Sequence, residues 1–428
     1  MPHDQKKYIG LSRNLVINRY KTDAERRKKA LLLKGIQPSP KFSLKDFLTE
    51  KVWKWIEHST RHLLGSKHEF KSYAENDKGI YQVGANLRNG EIRVALAADW
   101  ASDTAESIQV GAQMKSHDPH FTIHLGDTYY TGEPDEIAVN FIGNNSPWPK
   151  GSLGSFALMG NHEMYSMAKS YYDNLLPQLG INVTPGNTSF KGCGQDASYF
   201  CLCTDHWLIV GLDTGYNSVS FPFVWNSFKN NGQLPDALVQ WLATDVKPLA
   251  QTRGIIFLSH HQYVSAFKGQ KNYATPAEQL AKVFGKQKST IWIWGHEHRL
   301  AFYQKYSSLN GVVAYGRCIG HGGMPVELSE MTVDESRAGA DVLVGFDKRE
   351  RKTIDGVPIG WNGYAVMKIN ANNLVLEYYD QQGRLLLDER WKVENGIISG
   401  VSVSPRTNDP GFILQSGKDW NDVVELKK

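Results

Sequence analysis

Residues 121–130 read FTIHLGDTYY, an apolar strand followed by a glycine, an aspartate and two tyrosines. The same order, an apolar stretch, then a small residue, then polar side chains, returns in four other segments: 92–99, 156–163, 255–261 and 291–298. Loops at the carboxyl ends of neighbouring strands converge on one edge of a sheet, so we expect these polar side chains to gather at one site. The repetition predicts a domain of alternating strands and helices.

The polar residues of these segments are of the types that hold a pair of metal ions. Carboxylate, phenol and amide oxygens and imidazole nitrogens suit di- or trivalent cations, and one carboxylate can be shared by both ions. The candidate ligands are Asp99, Asp127, Tyr130, Asn161, His260, His296 and His298. His261 competes with His260 for one place, and we assign His260 because it comes first after the strand.

Composition and charge are those of an ordinary soluble globular protein. The chain has 428 residues and a formal net charge of +4, so nothing in it demands a nucleic-acid partner. Four irregularly spaced cysteines do not make a disulfide framework. The polar N-terminus and the lack of a long apolar run predict a cytoplasmic protein without a membrane partner.

Three regions differ in pattern. Residues 1–88 contain a basic helical stretch and a second helical pattern, and they predict an N-terminal helical appendage. Residues 89–394 carry the strand and helix alternation of a catalytic domain. Residues 395–428 are rich in Gly, Ser and Pro and predict a mobile C-terminal tail.

The five segments resemble the motifs of the calcineurin-like metallophosphoesterase superfamily over roughly residues 91–390. Ala101 stands where the first motif usually has a histidine, and the second motif ends in Tyr130, as in the purple acid phosphatase branch. The resemblance implies an α+β fold, a four-layer α/β/β/α sandwich of two mixed β-sheets flanked by helices. It also implies two metal ions, Fe³⁺ held by a phenolate together with Zn²⁺, Fe²⁺ or Mn²⁺.

Position by position, the resemblance assigns each ligand to an ion. Asp99, Asp127, Tyr130 and His298 are expected to hold the first ion. The second is expected to be held by Asp127, Asn161, His260 and His296. A metal-bound hydroxide is then expected to attack phosphorus, with His162 as general acid oriented by Glu163. His261, Arg317 and His321 are candidates for substrate contact.

The favoured function is hydrolysis of a small phosphorylated substrate, a phosphomonoester or a nucleotide. Two alternatives stay open. One is a phosphodiesterase or nuclease that uses the same site, and the other is a metal-binding scaffold with little turnover. The sequence does not fix the oligomeric state.

Overall fold

The computed structural model describes residues 67–74, 78–83, 90–129, 131–142, 146–181, 194–218, 231–354 and 357–420. The helical patterns expected within residues 1–66 lie outside this part of the chain. No helix in the described ranges has both the length and the apolar character needed to cross a membrane.

Most strands belong to two mixed sheets. In chain order the described strands are β1 (Ile80–Gln82), β2 (Glu91–Ala97), β3 (Phe121–His124), β4 (Gly154–Ala157), β5 (Gly180–Ile181), β6 (Phe200–Cys203), β7 (Trp207–Gly211), β8 (Gly254–Ser259), β9 (Ser289–Trp294), β10 (Leu300–Tyr306), β11 (Val313–Ile319), β12 (Leu343–Asp347), β13 (Lys352–Ile354), β14 (Val357–Ile359), β15 (Gly363–Asn370), β16 (Asn373–Asp380), β17 (Leu385–Glu394), β18 (Ile397–Pro405) and β19 (Phe412–Leu414). One sheet has the order β1-β6-β7-β8-β9-β11-β10-β12-β19, and the other has the order β18-β17-β16-β15-β2-β3-β4-β5. Strands β13 and β14 form a separate hairpin.

The helices are short. The α-helices of the described ranges are α1 (Ala105–Ser116), α2 (Pro134–Asn140), α3 (Asn161–Met164), α4 (Asp236–Trp241), α5 (Ala274–Phe284) and α6 (Ala338–Val342). Helix α4 continues into a π-helical turn at Leu242–Val246. Helix α1 begins at a reciprocal cap in which the Thr104 side chain accepts from the Ser107 amide.

Alternation along the strands builds three apolar layers. In β2, Val94 and Leu96 enter the core between the sheets, while Ala95 and Ala97 face the opposite side. That opposite layer holds residues of α1 and α2. Residues of α4 and α5 cover the outer face of the nine-stranded sheet. The predicted four-layer α/β/β/α sandwich is therefore confirmed.

The C-terminal region corrects a prediction. Residues 397–405 form β18, which pairs with β17, and residues 412–414 form β19, which pairs with β12. Trp420 is also buried in the core between the sheets. The Ser- and Gly-rich composition is that of an edge strand with one solvent-facing side, so the expected mobile tail over residues 395–428 is wrong as far as residue 420.

The domain also begins earlier than expected. Residues 80–82 form β1, which pairs in parallel with β6 at the edge of the nine-stranded sheet. Phe70 and Tyr73 pack against the outer core of the same sheet. The described residues before position 89 are thus part of the sandwich and not of an appendage.

Candidate metal centre

The two sheets bring the predicted ligands to one edge. Strands β2, β3 and β4 are parallel neighbours in one sheet, and β8 and β9 are parallel neighbours in the other. Asp99, Asp127 and Asn161 follow the first three strands, His260 follows β8, and His296 and His298 follow β9. The carboxyl ends of five strands therefore meet at one place, as the repeated pattern predicts.

One cluster of donor atoms surrounds His260. Its Nε2 lies 3.3 Å from Asp127 Oδ2, 3.2 Å from Asn161 Oδ1 and 3.2 Å from His296 Nδ1. Ligand atoms held about 2.0–2.2 Å from one ion lie roughly 3–3.5 Å from each other, so this spacing suits a shared cation.

A backbone carbonyl fixes the tautomer of His260. Its Nδ1 donates to the Leu125 carbonyl at 3.0 Å, so in the neutral ring the lone pair of Nε2 points into the cluster. Burial by itself lowers the pKa of His260, but Asp127, Asp99 and Glu163 outweigh it and raise that pKa to about 9. The buried carboxylates thus attract positive charge to this point, which is the condition that a metal ion needs.

A second cluster surrounds the hydroxyl of Tyr129. This oxygen lies 2.8 Å from Asp99 Oδ1, 3.1 Å from Asp127 Oδ2 and 3.1 Å from His298 Nε2. Asp127 Oδ2 therefore belongs to both clusters. Burial, with Asp127 and Asp99, raises the pKa of the Tyr129 phenol well above its usual range.

The predicted ligand Tyr130 lies outside the described residues, and sequence reasoning did not select Tyr129. The sequence feature that could have indicated Tyr129 is the pair of adjacent tyrosines after Asp127. The motif spacing favoured the second of the two.

Three of the candidate ligands have a left-handed backbone that non-glycine residues seldom adopt. The φ angles are 54° for Asp99, 71° for Asp127 and 66° for His296. Hydrogen bonds among the loops hold these conformations: the His296 amide donates to Asp99 Oδ2 at 2.7 Å, and the His162 amide donates to Asp127 Oδ1 at 3.0 Å. Such strain is concentrated at functional sites.

Glycine precedes several ligands because there is no room for a larger residue. A Cβ atom on Gly160 would stand 2.1 Å from Asp127 Oδ1, and one on Gly295 would stand 2.6 Å from Asp99 Oδ2. The glycines let the ligand loops approach each other closely enough to share a cation.

Comparison with known families agrees with this geometry. The family model described as calcineurin-like phosphoesterase matches residues 92–300, which contain every ligand assigned above. These residues form a calcineurin-like phosphoesterase domain.

Several solved structures are similar to a large part of the chain. Purple acid phosphatase PPD1 from yellow lupin (Lupinus luteus) seeds is 16% identical with a TM-score of 0.38, and the match covers 69% of this chain and 52% of that one. PhoD is 12% identical with a TM-score of 0.44, covering 79% and 76%. GAP50, the anchor in the inner membrane complex of Plasmodium, is 13% identical with a TM-score of 0.41, covering 71% and 89%.

The chain thus matches about half the length of the lupin enzyme. Among curated proteins, none matches this chain in sequence.

Glu163 of the phosphoesterase domain has a different role from the one predicted. Its buried carboxylate accepts from the backbone amides of Asp127 at 3.2 Å, Thr128 at 2.6 Å and Gly160 at 2.8 Å. Because the side chain lies beneath the loops, it ties the loop after β3 to the loop after β4. Glu163 therefore positions Asp127 through the backbone instead of orienting the His162 ring directly.

His162 lies at the open side of the site. Its side chain is 21% exposed, and its Nε2 is 3.7 Å from Asp127 Oδ2. The imidazole is flanked by the rings of Tyr129, at a centroid distance of 4.3 Å, and Tyr165, at 5.0 Å. An accessible imidazole beside the donor clusters can give a proton to a leaving group.

His261 lies behind the His260 cluster. Its ring is 4.6 Å from that of His296, and its Nδ1 and amide nitrogen lie 3.1 and 3.0 Å from the Thr214 hydroxyl. Burial holds the pKa of His261 well below its usual range. Nitrogen atoms of His260, His261 and His296 lie close enough together to bind one metal ion. Of these three residues, His260 is the one that faces Asp127 and Asn161.

Arg317 is fully buried and is not accessible to a substrate. It shares the inward face of β11 with Tyr315 and Ile319, in the core between the sheets. Its Nε and Nη2 donate to the two carboxylate oxygens of Glu389, both at 2.7 Å. The alternation of side chains along β11 turns Arg317 inward, where it forms a buried ion pair. The predicted contact between Arg317 and a substrate is therefore wrong.

His321 is buried as well. Its side chain is 1% exposed, and burial lowers its pKa to about 4. A Cβ atom on Gly363 would stand 2.7 Å from His321 Nε2, so the ring packs tightly against β15. In this conformation it is closed to a substrate.

Proposed function

We propose that this protein hydrolyses phosphate monoesters with the help of two cations held at the carboxyl ends of the strands. The observation that carries the proposal is the position of Asp127 Oδ2. It lies 3.3 Å from His260 Nε2 in one donor cluster and 3.1 Å from the Tyr129 hydroxyl in the other. A carboxylate shared in this way is what a pair of adjacent ions requires.

The ligand assignment follows the two clusters. Asp99, Asp127 and His298 are proposed to hold the first ion, together with one of the two adjacent tyrosines that follow Asp127. Asp127, Asn161, His260 and His296 are proposed to hold the second. Hard oxygen donors around the first ion favour Fe³⁺ there, with Zn²⁺, Fe²⁺ or Mn²⁺ as its companion.

The ions, when bound, supply Lewis acidity that neutralises charge on the phosphoryl group and lowers the pKa of water. Residues of the chain position the ions and supply the proton. Asp99 and Asp127, fixed by amide hydrogen bonds, keep the site pre-organised and need no rearrangement during reaction. His162, exposed beside them, donates its proton to the departing ester oxygen.

The test compares two chromogenic esters on metal-loaded protein, 4-nitrophenyl phosphate and bis(4-nitrophenyl) phosphate. We expect faster turnover of the monoester. His162→Ala is expected to keep its metals while turnover falls by about 10²–10⁴-fold, the usual contribution of a general acid.

Each alternative has its own outcome in this test. Faster turnover of the bis-ester would indicate that the protein is a phosphodiesterase and not a phosphatase. Bound metal without hydrolysis of either ester would favour the scaffold.

A further inference from the structure

We propose that the phenol oxygen of Tyr129 is itself a ligand of the first ion, in the place that motif spacing gives to Tyr130. The inference rests on the proposed two-cation site. It concerns which side chain completes that site, and it departs from the assignment that the family resemblance implies.

The donor atoms around the Tyr129 hydroxyl are spaced like the ligands of one ion. The Tyr129 hydroxyl lies 2.8 Å from Asp99 Oδ1, 3.1 Å from Asp127 Oδ2 and 3.1 Å from His298 Nε2. Asp99 Oδ1 and His298 Nε2 are themselves 3.5 Å apart. Donors bound at about 2.0–2.2 Å to one ion have this mutual spacing, so the hydroxyl stands at a corner of the coordination shell.

The Tyr129 phenol also has too few protons for the acceptors around it. A phenol has a single proton to donate, whereas its oxygen here faces two carboxylate oxygens and an imidazole nitrogen. One proton cannot satisfy both carboxylate oxygens at once, whichever tautomer His298 adopts. A cation at their centre can, because it binds each lone pair simultaneously.

The backbone explains why residue 129 faces inward. The Tyr129 amide donates to the Ala101 carbonyl at 2.9 Å, and Thr128 forms a parallel bridge with Ala101. This short pairing joins the loop after β3 to the loop after β2, directly beside Asp99. The left-handed conformation of Asp127 sets the direction in which the chain enters that pairing.

The test uses Tyr129→Phe with Tyr130→Phe as a matched control that deletes the same hydroxyl from the next residue. Phenylalanine keeps the ring that packs at 4.3 Å against His162, so the loop loses only its oxygen. Each purified full-length protein is stripped, titrated with Zn²⁺, and separately loaded with Fe³⁺ and scanned for visible absorption.

For Tyr129→Phe we expect the affinity of one of the two Zn²⁺ ions to fall by at least about tenfold, and the phenolate-to-iron band to disappear. Tyr130→Phe should retain both properties. If the wild type shows no band, the Zn²⁺ affinities alone decide.

Two results would overturn the assignment: unchanged Zn²⁺ affinities and an unchanged iron band in Tyr129→Phe, or loss of either property in Tyr130→Phe alone. A wild-type protein that binds fewer than two ions would instead reject the proposed two-cation site. The failure of the ligand assignment and the failure of the function are therefore separate results.

Discussion

At the scale of single residues, the surroundings of His162 bear on catalysis. Its imidazole lies between the rings of Tyr129 and Tyr165, and the Tyr165 hydroxyl accepts from the Asn161 side chain at 3.5 Å. Edge-to-face packing of this kind restricts ring orientation. We therefore propose that Tyr165 positions the His162 ring for its proposed role as general acid.

The prediction for Tyr165 concerns leaving groups. Tyr165→Ala should slow hydrolysis of an alkyl phosphate about tenfold more than hydrolysis of 4-nitrophenyl phosphate, because a poor leaving group depends more on its proton donor. Tyr165→Phe should restore the wild-type ratio, since it keeps the ring. Equal slowing of both esters, or a Phe variant as impaired as Ala, would reject this role.

Polar residues just beyond a strand end, such as Asp99 and His296, do lie in one cluster as the sequence predicts, and their role as metal ligands stays a prediction. Sequence reasoning did not select Tyr129, because the side chain that faces inward two residues after Asp127 depends on a backbone conformation that composition does not reveal. Arg317 was misplaced for a different reason. Its partner Glu389 is 72 residues away in sequence and becomes visible only in the folded sandwich.

At the scale of elements, the short helix α3 and the loops around it form one clamp. Glu163 in α3 joins the amides of Asp127 and Thr128, after β3, to that of Gly160, after β4. A carboxylate that accepts several buried amides contributes strongly because each amide otherwise lacks a partner.

Glu163→Gln is expected to lower the free energy of unfolding by about 2 kcal/mol and to weaken metal binding, because an NH₂ group would face a backbone donor. Chemical denaturation and metal titration measure the two effects. Glu136→Gln is the control: Glu136 likewise accepts two backbone amides, those of Thr131 and Glu133, but does not join the ligand loops. Equal loss of metal affinity in both variants would contradict the clamp.

The strands that are followed by candidate ligands were predicted from the sequence, whereas the edge strands near the C-terminus were not. Residues 397–405 pair only with β17 among the described strands and carry serines and a glycine, so their local composition resembles a loop. Strand pairing is decided by distant partners, and local propensity at an edge is a poor guide to it.

At the scale of the whole molecule, Arg317 and Glu389 join the two sheets. Arg317 is on β11 of the nine-stranded sheet and Glu389 is on β17 of the eight-stranded sheet, and both are fully buried. Trp391 and Phe302 flank the guanidinium at 5.8 and 6.0 Å. Such a pair fixes how the sheets face each other, and losing one partner leaves a buried charge uncompensated.

Arg317→Met should therefore lower the free energy of unfolding by about 3–5 kcal/mol, while the folded variant keeps the wild-type KM. Removing both charges in Arg317→Leu with Glu389→Leu should cost less than either single change. Urea denaturation and steady-state kinetics separate the two quantities. A raised KM with an unchanged free energy of unfolding would instead indicate that Arg317 contacts the substrate.

The proposed two-ion centre depends on Asp127 serving both ions, and metal content measures this most directly. Elemental analysis of reconstituted wild type should give two ions per chain, and Asp127→Asn should lose at least one of them together with hydrolysis. Asp213→Asn is the control. It changes another buried aspartate beyond a strand end, one that accepts from Ser198 and two loop amides, and should retain both ions. Asp127→Asn that keeps two ions and full turnover would contradict the shared-carboxylate centre.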